Sequence, residues 1–164
     1  MSNALATHFR TMMAYETWAN ERSLASLETV PPEMRTRPPF LRATQLLPHI
    51  FLARTLWLMR ARAVPHDHPR DWFPSWPVEE TRRQLSTVDA QWRDFLAPLT
   101  DADLSRPVPY TASEGRQYSS SVYDICTQVF NHGTYHRGQI ARLVAESGGQ
   151  RAATDFIIFT RTQT

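Results

Sequence analysis

Proline placement constrains this chain more than any other feature. Twelve prolines stand in 164 residues, against five glycines. Proline lacks a backbone donor and breaks a helix interior, so long proline-free stretches are where helices can form. Apart from Pro48, the prolines gather at Pro31-Pro32, at Pro38-Pro39, between Pro65 and Pro77, and between Pro98 and Pro109. Four long segments remain, and each repeats apolar residues at helical spacing.

The first segment covers residues 3–28. Leu5, Phe9, Met12, Glu16, Ala19, Asn20, Ser23 and Leu27 share one stripe, with Glu16 and Asn20 where apolar residues belong. The second covers 40–64. Leu46, His49, Ile50, Ala53 and Trp57 form one face, while Leu47, Phe51, Leu52, Leu56, Leu58 and Met59 make most of the rest apolar too. A helix apolar nearly all round is covered on several sides, which predicts a subunit contact beside the core contact. Pro48 lies inside it and predicts a kink or a late start. The third segment, 78–97, opens after Pro77 with Glu79 and Glu80 in the first turn, and Pro98 closes it. Thr100 and Asp103 read as a capping box for a short helical turn. The fourth, 120–147, opens with the capping box Ser121/Asp124 and ends at Gly148-Gly149.

Strand signals are absent elsewhere, and the apolar tail Asp155-Phe156-Ile157-Ile158-Phe159 is expected to lie extended across the other elements. The expectation is an all-α, four-helix bundle in a single domain over residues 1–164.

Charge and cysteine content exclude several functions. Cys126 is the one cysteine, so neither a disulfide framework nor a cysteine-rich zinc fold is available. It reads as a small core residue. The net charge is +2, every basic residue is arginine, and the arginines are scattered among acids, which is no nucleic-acid footprint. No apolar run approaches the roughly 18 residues of a membrane helix. The polar start lacks the layout of a secretory signal, so a cytoplasmic location is expected, without membrane or nucleic-acid partners.

Histidine placement carries the chemistry. His132 and His136 are four apart and leave one helix face together, beside Val129, Ile140 and Leu143. His49 lies on the inward stripe of the second segment. Three inward imidazoles meeting on a metal would form an open site of the catalytic kind. Imidazole suits zinc, nickel, iron and copper. The alternative is three core histidines held by hydrogen bonds, and the pattern leaves both open. A zinc protease is disfavoured, because Gly133, Thr134 and Tyr135 separate the pair and no glutamate follows His132.

Several motifs together resemble one family. The run Val129-Phe130-Asn131-His132-Gly133-Thr134-Tyr135-His136-Arg137-Gly138-Gln139-Ile140 is similar to the signature of the DinB family of metalloenzyme-like proteins. Ala14-Tyr15-Glu16-Thr17-Trp18-Ala19-Asn20 resembles its first-helix motif, His49 with Trp57 its second helix, and Thr154 to Phe159 its C-terminal segment. The resemblance implies an up-down-down-up bundle and a divalent metal on His49, His132 and His136, with zinc or nickel ahead of iron or manganese. It also implies a homodimer and, as in some relatives, transfer or isomerisation with a low-molecular-weight thiol such as mycothiol, bacillithiol or glutathione.

The expected function is therefore a divalent-metal-binding protein that activates a small thiol or a water for transfer or detoxification chemistry on a small-molecule substrate, an S-transferase or a hydrolase. A non-catalytic metal-binding stress-response protein and a structural dimer without metal are the competing readings. No catalytic residue is identified. Glu16 and Asn20 read as supports or substrate contacts, against hydrogen bonds to a neighbouring helix. Arg137 reads as a carboxylate fork, against a surface ion pair. His66, Asp67 and His68 read as a solvated loop, His8 as exposed, and Trp72, Phe73 and Trp76 as a pocket lid or a cover for the bundle end.

Overall fold

The computed structural model of the chain describes residues 3–162. Four long helices dominate it: α1 (Ala4–Glu28), α2 (Pro38–Ala61), α3 (Val78–Leu96) and α4 (Val122–Glu146). Between α3 and α4 lies a two-stranded antiparallel hairpin, β1 (Pro107–Thr111) and β2 (Gln117–Ser121), and a short helix, α5 (Phe156–Thr160), ends the described chain. No described helix is long and apolar enough to cross a membrane.

The long helices begin and end where local chemistry directs. α2 starts at Pro38-Pro39, which need no helical donor in the first turn. It continues uninterrupted past Pro48, so the late start is not seen. α4 opens on the expected capping box: the Asp124 N–H donates to Ser121 Oγ at 3.1 Å, and the Ser121 N–H donates to Asp124 Oδ2 at 3.1 Å. It closes at Gly148, whose φ of +77° suits a residue without a Cβ.

Two expectations are corrected. The hairpin makes the protein mostly helical rather than purely all-α. β1, Pro-Val-Pro-Tyr-Thr, does alternate, with Val108 buried and Tyr110 half-buried between exposed Pro107, Pro109 and Thr111, but its two prolines hide the strand, and β2 reads Gln-Tyr-Ser-Ser-Ser with no apolar face. Ladder bonds and the edge-to-face contact of Tyr110 with Trp57 of α2, centroids 5.1 Å apart, hold it instead. The tail is the helix α5 and not an extended segment. Phe156 and Phe159 both stand edge-on to Tyr15 of α1, at 5.2 and 5.9 Å.

The interior is two apolar cores with a polar waist. One core gathers Phe9, Trp92, Val122, Ile125 and Phe130. The other gathers Leu24, Leu47, Phe51, Leu85 and Val144. Between them lie two buried ion pairs, Arg54–Asp89 at 2.5 Å and Arg137–Glu16 at 2.6 Å. In the second pair the side chains are 1% and 0% exposed. Arg137 also donates to Asn20 Oδ1 at 3.1 Å and to Thr134 Oγ1 at 3.0 Å. Desolvation works against its charge, but the Glu16 carboxylate outweighs it and holds the Arg137 pKa above the usual value. The surface ion pair expected for Arg137 is thus a buried one, because Gly133 one turn earlier lets Glu16 come in. A Cβ there would lie 2.5 Å from Glu16 Oε2.

Most of α2's apolar surface is covered within the chain, by α3, α4, α1 and the hairpin. Leu41, Leu52 and Met59 form the stripe left partly or fully open.

Removing one member of a buried pair strands a charge, at a cost of about 3–5 kcal/mol. Glu16→Leu is expected to lower unfolding stability by that order in urea titrations. Glu16→Leu with Arg137→Met should recover most of the loss, and a double variant as unstable as the single one would contradict the stranded-charge account.

Candidate metal centre

α4 carries His132 and His136 one turn apart, and α2 brings His49 to them from the facing side. All three are half-buried, and one nitrogen of each lies within 4.8 Å of the other two. His49 Nε2 and His132 Nε2 are 3.2 Å apart. The ring centroids of the other two pairs, His49–His136 and His132–His136, are 4.7 and 4.5 Å apart. Among the described residues this is the one grouping of three or more metal-ligating side chains.

Neighbours set which nitrogen faces inward. His49 Nδ1 lies 3.0 Å from the Trp72 carbonyl. A carbonyl only accepts, so Nδ1 carries the hydrogen and Nε2 of the neutral ring keeps its lone pair for the interior. His136 Nδ1 lies 2.9 Å from Gln139 Oε1, with the same consequence when that oxygen accepts. Such outer partners orient ligating imidazoles. Phe73 stacks on the His49 ring at 4.3 Å, and the Arg42 guanidinium lies over the Phe73 ring at 4.1 Å. The aromatic loop residues Trp72 and Phe73 are therefore the brace of His49.

The three imidazoles are held neutral. Burial is the main cause for each: it lowers His132 to about 4, helped by the neighbouring His136 and His49. His49 and His136 are lowered as well, burial outweighing their hydrogen bonds to Trp72 and Gln139, with the Arg42 charge pushing the same way. Neutral imidazole is the ligating form. Zn–N bonds of about 2.0–2.1 Å in a tetrahedral set place ligand nitrogens roughly 3.3 Å apart, so the 3.2 Å His49–His132 separation already fits.

Glu16, Asn20 and Arg137 hydrogen-bond among themselves on the α1 side of α4 and make no hydrogen bond to a histidine. Both Glu16 and Asn20 accept from Arg137 of the neighbouring α4, the contact expected of hydrogen bonds between helices. His66 and His68 do not join the trio: the His66 Nδ1–H donates to the Val64 carbonyl at 2.9 Å, while His68, expected in a solvated loop, is half-buried in the wall of the neighbouring cleft.

A cleft of about 420 Å³ opens beside the trio, with His49 and His132 in its wall. Trp57, Arg60, His68, Trp72, Tyr110 and Tyr118 line it, and among the described residues no aspartate or glutamate does. Sequence reasoning missed Arg60 and both tyrosines. Arg60 had a findable signal, since 49, 53, 57 and 60 lie on one α2 stripe. Tyr110 and Tyr118 had none, because their strands were not foreseen.

Comparison with known proteins agrees with this architecture. The model of the DinB family matches residues 1–164. Protein DinB of Bacillus subtilis (strain 168) is 23% identical over 163 residues, covering 91% of this chain and 93% of that protein. The crystal structure of a DinB-like protein from Bacillus cereus ATCC 10987 superposes with a TM-score of 0.63 at 19% identity, covering 88% of this chain and 94% of that one. At that identity the likeness is one of fold.

The lowered histidine pKa values give a sign for acid stability. His132 titrates near 4 in the fold against 6.5 in the unfolded chain, so the unfolded chain takes up the proton first. With a chelator present, stability is expected to fall as pH drops from about 6.5 toward 4. Denaturation curves across that window should flatten in His132→Gln, and an unchanged slope would remove His132 as the cause.

Proposed function

We propose, from the premise that this chain belongs to the DinB family, that His49, His132 and His136 hold one divalent transition metal and that the protein is a metal-dependent enzyme for small-molecule thiol transfer. Zinc or nickel suits three neutral imidazoles best, with iron or manganese next. The observation that carries the reading is the convergence of three such imidazoles from two helices beside an open cleft, two of them with Nδ1 already engaged.

Bound there, the ion supplies Lewis acidity that lowers the pKa of a thiol or a water. The chain's residues do the remainder. The Trp72 carbonyl and Gln139 fix the aim of His49 and His136, and Trp57, Trp72 and Tyr110 give the cleft beside them an aromatic wall. Cys126 supplies no nucleophile, since burial pushes its thiol up to about 12. A thiol must therefore enter with the substrates. Thiol transfer is the reading preferred here; hydrolysis is the second, because His68 in the cleft wall, whose Nδ1 is buried without a partner among the described residues, offers a base toward water.

We further read the four long helices as an up-down-down-up bundle forming one unit over residues 1–164. The Arg82–Glu28 contact supports α1 antiparallel to α3, and Arg54–Asp89 with Gln45–Ser75 supports α2 parallel to α3. A homodimer through the open stripe of Leu41, Leu52 and Met59 completes the proposal.

Elemental analysis of untagged protein tests the centre. About one equivalent of a transition metal is expected, absent from His132→Ala/His136→Ala, and Gln139→Leu should weaken zinc binding about 10–100-fold. No metal after reconstitution with zinc, nickel or manganese would sink the metal reading. Metal without consumption of any low-molecular-weight thiol and electrophile would reduce the protein to a metal binder.

A further inference from the structure

Arg60 carries a charge that no carboxylate among the described residues answers. It is 6% exposed, as buried as a core residue. The other two deeply buried guanidinium groups in the helical interior, Arg54 and Arg137, each meet a carboxylate, Asp89 and Glu16. Arg60 meets none among the described residues. Its Nη2 donates to the Thr111 carbonyl at 3.0 Å, its Nε is buried without a partner, and Nη1 donates to no described acceptor. The Trp57 and Tyr110 rings cover the guanidinium at 4.6 and 4.5 Å. Burial lowers its pKa, the mark of a cation taken out of water without a counter-charge.

A purely structural role does not need that charge. One bond to a carbonyl and two ring contacts tie β1 to α2, and a neutral side chain could fill the same gap without the cost of desolvating a cation. Arg60 also stands in the wall of the cleft beside the histidines, where no acid competes for it. The planar fork of a guanidinium matches a carboxylate in two parallel bonds.

We propose that Arg60 is the anion anchor of this cleft, and that the molecule presented to the histidine trio is an elongated small carboxylate with an apolar middle. The elongation follows from helix geometry. Arg60 comes 11 residues after His49 on α2, roughly 16 Å along the axis at 1.5 Å per residue. Arginine leans back toward the helix N-terminus and shortens the gap. Ala53, Leu56 and Trp57 lie between the two, with Trp72 and Tyr118 also in the wall. The inference rests on the reading of the cleft as the substrate side of the metal centre.

The probes are 4-phenylbutyrate and its uncharged isostere 4-phenylbutyramide, titrated against the intrinsic fluorescence that Trp57 and Trp72 supply from the cleft. Wild type, Arg60→Gln, Arg60→Lys and His136→Ala are compared, with metal content measured in each. The acid is expected to bind about 10-fold or more tighter than the amide in wild type. That preference should persist in His136→Ala, which loses metal but leaves the cleft wall intact, and collapse in Arg60→Gln. Arg60→Lys keeps the charge without the fork, so it should weaken the acid several-fold and leave the amide unchanged; it decides the matter if Arg60→Gln does not fold. Equal binding of acid and amide by wild type, no saturable binding of the acid, acid preference surviving in Arg60→Gln, preference lost in His136→Ala, or equal weakening of both probes in Arg60→Lys would each overturn the anchor. Failure of the metal centre reads separately, as wild-type protein that takes up no metal.

Discussion

The rotation of α4 about its own axis is the setting on which the rest depends, and the buried Glu16–Arg137 pair holds it. α4 presents two pairs at helical spacing, offset by one residue. Gly133 and Arg137 face α1, and His132 and His136 face α2, about 100° away around the helix. A helix this long turns as a rigid body, so a clamp on one face fixes the aim of the other. The clamp is tight because Gly133 offers no Cβ where the Glu16 carboxylate sits. The two terminal nitrogens of Arg137 then donate to Glu16, Asn20 and Thr134, none of which is a histidine. The positioning force and the candidate chemistry thus occupy adjacent faces of one helix without competing for the same atoms.

A polar waist between two apolar cores is an uncommon place to invest buried charge, and it has a structural consequence. Apolar cores tolerate sliding and repacking, whereas a guanidinium–carboxylate pair has one register. Arg54–Asp89 ties α2 to α3, and Arg137–Glu16 ties α4 to α1. Each pair thus registers two helices at mid-height, where the histidines lie. The loop after α2 finishes the arrangement: the Trp72 carbonyl sets the His49 tautomer, and Phe73 stacked against Arg42 holds the ring plane.

Much of this was legible from residue order. Helix limits follow from proline and capping chemistry acting over three or four neighbours, so the four long segments were read within a few residues of α1 to α4. The i, i+4 spacing of His132 and His136 guarantees a shared face in any helix. The hairpin was not legible. Two prolines mask the alternation of Val108 and Tyr110 in one strand, the serine-rich partner strand has none, and the hairpin's stability comes from contacts with the helices that residue order does not display. The α5 segment failed for a similar reason, since five residues hold helical form only because Tyr15 and Trp18 lie beneath Phe156 and Phe159.

By itself the sequence determined the helices, their apolar faces and the three histidines, because each rests on local backbone chemistry or on spacing along one helix. Which side chains meet was decided only by the tertiary structure. It brought His49 to within 3.2 Å of His132 across 83 residues of chain. It turned Arg137 from a surface residue into a buried clamp and left Arg60 buried without a counter-charge among the described residues. Those outcomes depend on how four helices rotate and register against one another, and that is set by the packed interior as a whole, not by any stretch of neighbouring residues.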